Sequence, residues 1–280
     1  MISDSIYVLL IFGLLGLITN SIAWKNGFYE WHPLPPPRIY FKQVVSVFAI
    51  YVGVTFFLSQ YFVGLLQRHS TAPVSLGLNI TVQFLIVVSM VVALILYGRT
   101  QSPLFEKIWK NPAQATATSP TYDFFLGIAT LFAAFPVVIV VGQFFDLLLY
   151  LFFQLESYEQ TAVRYLKTTL VSPSLTMLAL ITIVVIAPFI EEFLFRGTLQ
   201  TYFKQRLSAK KAIILTSLCF ALFHFSPEQG LGNLSLIPSL FTFACFLGYV
   251  YERQGSLFAS VGLHMAFNFL NSLRIIFPSE

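Results

Sequence analysis

The sequence predicts an all-α fold, a polytopic membrane helix bundle of about eight transmembrane helices. Two observations carry this. The 280 residues are 57% hydrophobic and only 10% charged, against about 25% charged in a soluble domain. Uncharged runs of the ~20 residues needed to cross a bilayer recur along the whole length, near 6–24, 44–66, 75–97, 123–153, 173–203, 207–225, 234–252 and 256–276.

Loop charge orients these spans. With eight crossings, Lys25, Arg38, Lys42, Arg99, Lys107, Lys110, Lys204, Arg206, Lys210, Lys211 and Arg253 share one side, while Arg68, Arg164, Lys167 and Arg274 share the other. Basic loops stay in the cytoplasm, so both termini are expected outside a cell membrane. The net charge of +4 is spread over these loops and gathers into no patch for nucleic acid. The surroundings are instead expected to be the lipid bilayer.

The first span is expected to be retained, because "MISDS" lacks the positive charge of a signal peptide. The segment Trp24–Gln43 is rich in proline and aromatics and reads as a stiff interfacial loop, with His32 solvated. Trp24, Trp31 and Trp109 fall where an aromatic belt would put them. The polar stretch Gly98–Tyr122 is the expected boundary between amino-terminal helices, 1–120, and a second region, 121–280, whose motifs lie in 172–274. Glu156–Thr169 reads as a short amphipathic helix on the outer surface. Asp146 reads as a solvated helix end, and Cys219 and Cys245 as small buried residues without metal-type spacing.

In the second region, twenty-three uncharged residues, Thr168 to Ile190, run into "EEFLFRG". A charged side chain at the bilayer centre costs about 2.5–3.5 kcal/mol on insertion scales, so these groups need partners or water. Glu192 and Arg196 stand four apart with the glutamate first, the favoured order for a helical ion pair, and are read as structural. Glu191 points about 100° away and keeps its carboxylate free for chemistry. Pro188 removes a backbone hydrogen bond beside it and is expected to kink the helix.

Two histidines lie in later spans, His224 in "CFALFHF" and His264 in "VGLHMAFNFL", with Asn268 one turn beyond His264. Folding the chain about a turn near Leu207–Ser208 brings Glu191 and His224 level, each about sixteen residues from it at ~1.5 Å per residue. Glu191, His224, His264 and Asn268 can then meet in one cavity. A carboxylate, two imidazoles and an amide are the groups that activate water.

The ordered motifs "EEFLFR", "FALFH" and "HMAFN" resemble those of the CAAX-protease and bacteriocin-processing (CPBP, or Abi) family, related to the type II CAAX prenyl endopeptidase. The resemblance implies an intramembrane endopeptidase that hydrolyses a peptide bond of a membrane-associated, in one version prenylated, substrate. It also implies a site opening toward the cytoplasm. Glu191 would be the general base and His224 would orient the water. His264 and Asn268 would stabilise the oxyanion. A competing version holds a zinc ion on Glu191, His224 and His264, as the family's usual description as metalloproteases implies. The alternatives from other classes are a non-proteolytic scaffold or bacteriocin-immunity protein, and a proton-coupled transporter. The second lacks the repeated halves such proteins show.

Overall fold

The computed structural model describes residues 2–30, 34–69, 75–110, 118–155 and 160–277. Its ten helices are α1 (Ile2–Lys25), α2 (Phe41–His69), α3 (Leu76–Thr100), α4 (Ser102–Trp109), α5 (Pro120–Phe153), α6 (Thr161–Thr169), α7 (Pro173–Lys204), α8 (Ala209–Phe223), α9 (Asn233–Gln254) and α10 (Leu257–Ile276). A 3₁₀ turn, Pro227–Gly232, leads into α9. Among the described residues the extended pairing is limited to an isolated bridge between Lys110 and Ser256. The fold is an all-α polytopic bundle.

Every expected span coincides with a helix, but six helices are both long and apolar enough to cross a membrane. Helix α8 has 15 residues, about 22 Å at 1.5 Å per residue, short of the ~30 Å hydrocarbon core. Helix α10 has 20 residues but is diluted by His264, Asn268, Asn271 and Arg274. Helices α8 and α10 are the two expected spans that fall outside these six. The two short or polar helices are the ones that carry both site histidines.

The outer surface is apolar, as lipid requires. Leu17 on α1, Phe57 on α2 and Phe132 and Phe152 on α5 are each at least 70% exposed. Serine caps begin three helices. Ser75, Ser119 and Ser208 accept from the backbone N–H three residues on, satisfying donors that hydrocarbon would leave bare. The Ser208 cap opens α8 just after the expected turn. The amphipathic segment at 156–169 forms α6 from Thr161, while His32 and Trp31 lie outside the described residues. Asp146 is exposed. Cys219 and Cys245 are free thiols on separate helices.

Two contacts set the frame. Helices α5 and α10 pack backbone to backbone: a Cβ added at Gly127 would stand 2.0 Å from Ala259 O, and one at Gly262 would stand 2.2 Å from Phe124 O. Small residues permit such approach where lipid supplies no hydrophobic drive between helices. Helices α7 and α9 are joined by a polar ladder. Arg196 Nη2 donates to Ala244 O at 3.1 Å, Gln200 Nε2 donates to Gly248 O at 3.0 Å, and Lys204 Nζ pairs with Glu252. Each rung advances four residues on both helices, so the two run parallel, and Gly255, at φ 54°, ends α9 in the left-handed turn that favours glycine.

The amino-terminal helices join the same interior. Val47 of α2 and Met90 and Leu94 of α3 share one apolar cluster with Ile190, Leu194 and Phe195 of α7. Trp109, expected in an interfacial belt, instead packs its ring on Phe189, Phe193 and Phe258.

The glycine contact gives a direct test. Gly262→Val must push α5 and α10 apart and should cost about 1–3 kcal/mol, the usual range for overpacking. The matched control is Gly13→Ala, where a Cβ meets nothing within 4 Å. Thermal unfolding in detergent should show a lower midpoint for the first and none for the second.

Candidate active site

The site is built on α7, whose backbone alternates between α and π turns. Ile181–Ile186 and Phe193–Gln200 are π, and Ala187–Glu192 between them is α. Pro188 explains the first irregularity. A π turn pairs each N–H with the carbonyl five residues back, as Ala187 N–H does with Thr182 O. The next such pair would join residue 188 to Ile183 O, but proline has no N–H. Asn268 supplies the missing donor, its Nδ2 lying 2.9 Å from Ile183 O. The expected disturbance at Pro188 is thus a widened turn, held from α10.

Four residues on, Glu192 and Arg196 are both wholly buried, with Arg196 Nη1 3.0 Å from Glu192 Oε1. The rest of the guanidinium is largely committed. Nη2 holds Ala244 O, and its plane lies over the Phe220 ring at 4.5 Å. The expected ion pair is present, and it has a third member. His264 Nδ1 lies 2.8 Å from the same Glu192 Oε1. Glu192 Oε2 and Arg196 Nε find no protein partner.

These bonds fix both imidazoles. A carboxylate oxygen accepts, so His264 Nδ1 carries a hydrogen and its Nε2 is turned away from Glu192. His224, at the end of α8, does the same against a carbonyl, with Nδ1 2.9 Å from Phe220 O. Both Nε2 atoms turn toward Glu191 Oε2, at 3.7 Å from His224 and 3.8 Å from His264. Such gaps are too long for direct hydrogen bonds and suit a bridging water. Exposure grades across the site: the His264 side chain is 5% exposed, Glu191 20% and His224 30%. Phe220 and Phe243 wall the His264 ring at 6.0 and 5.3 Å.

Glu191, His224 and His264 are therefore brought together, Glu192 and Arg196 stand behind them, and Asn268 reaches the α7 backbone. Around a tetrahedral zinc, donors ~2.0–2.1 Å from the ion stand roughly 3.4 Å apart; the gaps to Glu191 are wider. Glu191, His224 and His264 are the residues that would hold the ion in the competing version. The arrangement is a carboxylate flanked by the Nε2 atoms of two imidazoles.

Residues 173–270 match the family described as type II CAAX prenyl endopeptidase Rce1-like. The similarity covers this segment, from the start of α7 into α10, about a third of the chain. Neither a curated protein nor a solved structure matches the chain.

Sequence reasoning missed the second duty of Glu192. The i,i+4 spacing announces Arg196, but nothing local announces a histidine 72 positions away. The two duties separate by mutation. Arg196→Met leaves the buried Glu192 charge without its guanidinium and should cost about 3–5 kcal/mol, lowering the amount of protein in the membrane. Glu192→Met with Arg196→Met removes both charges and should restore that amount, yet peptide cleavage should stay low because His264 has lost its anchor. Recovery of cleavage along with abundance would reduce Glu192 to a charge partner.

Proposed function

We propose that the chain is an intramembrane endopeptidase that cleaves a membrane-associated peptide or protein by side-chain-activated water. The observation that carries this reading is the approach of both Nε2 atoms to Glu191 Oε2, at 3.7 and 3.8 Å. A water among these atoms gives one hydrogen to Glu191 and is oriented through the other by His224 Nε2. As its oxygen bonds to the scissile carbonyl carbon, its proton moves to Glu191. It can pass on to His264 Nε2, where buried Glu192 compensates the imidazolium as an aspartate does in a hydrolytic triad. The imidazolium and the second amide hydrogen of Asn268, the one not given to Ile183 O, face the oxyanion. Collapse of the intermediate breaks the C–N bond and the proton leaves on the amine nitrogen.

The finer substrate reading, a prenylated peptide, rests on the family resemblance. The cytoplasmic opening rests on Lys204, Arg206, Lys210 and Lys211, which surround the α7–α8 turn and orient the two helices that carry Glu191 and His224. A cysteine at Ser208, in a chain lacking Cys219 and Cys245, should resist an impermeant thiol reagent in intact cells and react after permeabilisation. One at Leu231, 42% exposed on the far side of α8, should react in intact cells. Reversed labelling would turn the site to the outer face.

Cleavage itself is tested by comparing membrane proteomes of cells carrying active chain and Glu191→Gln. Glu191→Gln, His224→Ala and His264→Ala should each slow cleavage by roughly 10²–10⁴-fold at near-normal abundance, the range for loss of a general acid–base group. Asn268→Ala should cost about 10²-fold. Full activity in Glu191→Gln would remove the general base from the account, and identical proteomes would return the scaffold reading. Dialysis against a strong chelator should leave the rate unchanged; a loss reversed by zinc would move the two histidines into a metal site.

A further inference from the structure

A cavity of about 340 Å³ lies between α3, α4 and α7, away from the Glu191 carboxylate. Helix α3 lines it with Val91, Leu94 and Ile95, and α7 with Phe189, Ile190 and Phe193. Trp109 closes it, stacked on Phe193. Ile95 is 51% exposed and Phe189 38%, so the cavity opens sideways onto the zone that lipid chains occupy. Its polar lining comes from Arg99, in the last turn of α3, and Glu106, on α4. Both are exposed, and neither pairs with another side chain among the described residues.

We propose that this cavity binds one phospholipid whose headgroup carries both a phosphate and a primary ammonium. From Val91 to Arg99 the helix rises ~12 Å, so an acyl chain can lie along α3 with its headgroup at the rim. Arg99 takes the phosphate and Glu106 takes the ammonium as a hydrogen-bond donor. A headgroup with phosphate alone leaves Glu106 unmatched, and a quaternary ammonium has no hydrogen to give it. Three wall residues flank Glu191 and Glu192 in sequence, so a filled cavity also braces the turn that carries them. Only that last consequence rests on the proteolytic reading.

The full chain is reconstituted in vesicles of phosphatidylcholine alone, or mixed with phosphatidylethanolamine or with phosphatidylglycerol. Lipid retained through repeated detergent exchange is then measured by mass spectrometry, which needs no catalysis. Phosphatidylethanolamine should be retained in preference to the other two. Ile95→Trp, which fills the cavity from an exposed position, should lower that retention on the order of tenfold, and Glu106→Gln should cancel the preference by a similar factor, near the lower end for a hydrogen bond to a charged group. Retention in proportion to supply, or unchanged in Ile95→Trp, would overturn the site. Preference for phosphatidylglycerol, or displacement of the lipid by a lipidated peptide, would overturn the headgroup assignment. Cleavage, where present, should be faster in the phosphatidylethanolamine vesicles for the unmodified chain and not for Ile95→Trp.

Discussion

One oxygen atom, Glu192 Oε1, receives the Arg196 guanidinium at 3.0 Å and His264 Nδ1 at 2.8 Å in a place where water does not reach. A buried carboxylate is tolerated because it is paired and hydrogen-bonded together. Through Arg196 it holds α9, since the same guanidinium bonds Ala244 O, and through His264 it holds α10. The imidazole geometry at Glu191 follows from that atom. Without it, no bond would select which nitrogen of His264 faces the site.

The irregular backbone of α7 is the second constraint, and it follows from the first few residues around Pro188. A regular α-helix would leave one unsatisfied carbonyl at a proline, which in a membrane costs several kcal/mol. The π turn moves that orphan to Ile183, where Asn268 reaches it from α10. The second π stretch, Phe193–Gln200, carries Arg196 and Gln200, the first two rungs of the ladder to α9. The turn that carries Glu191 and the ladder are thus fixed from both sides by side chains whose bonds cross between helices.

Much of this was legible in the sequence because it depends on length or on short spacing. Apolar runs matched to bilayer thickness marked the eight longest of the described helices, and four-residue spacing marked Glu192 with Arg196. Equal distance from a turn put Glu191 and His224 at one level, because helical rise is uniform. What escaped depends on contacts distant in the chain or on backbone register. The 72-residue reach of His264 to Glu192 was one, and the π turns were another. The amide of Asn268, read only as an oxyanion donor, also holds Ile183 O. Trp109 was read from its loop position and lies against Phe193 instead, because burial of an aromatic ring is decided by what packs above it. The shortness of α8 and the polarity of α10 were visible, yet a hydropathy run does not say that a helix ends at its functional histidine.

The most direct test of the account is the protonation pattern of His264 in the membrane. Solid-state ¹⁵N spectra of the histidine-labelled, reconstituted chain, assigned by comparison with His264→Ala, would report it. The account predicts a hydrogen on Nδ1, shared with Glu192, and a bare Nε2, with that pattern lost in Glu192→Met. A resting His264 with its hydrogen on Nε2, or a spectrum indifferent to Glu192, would contradict it.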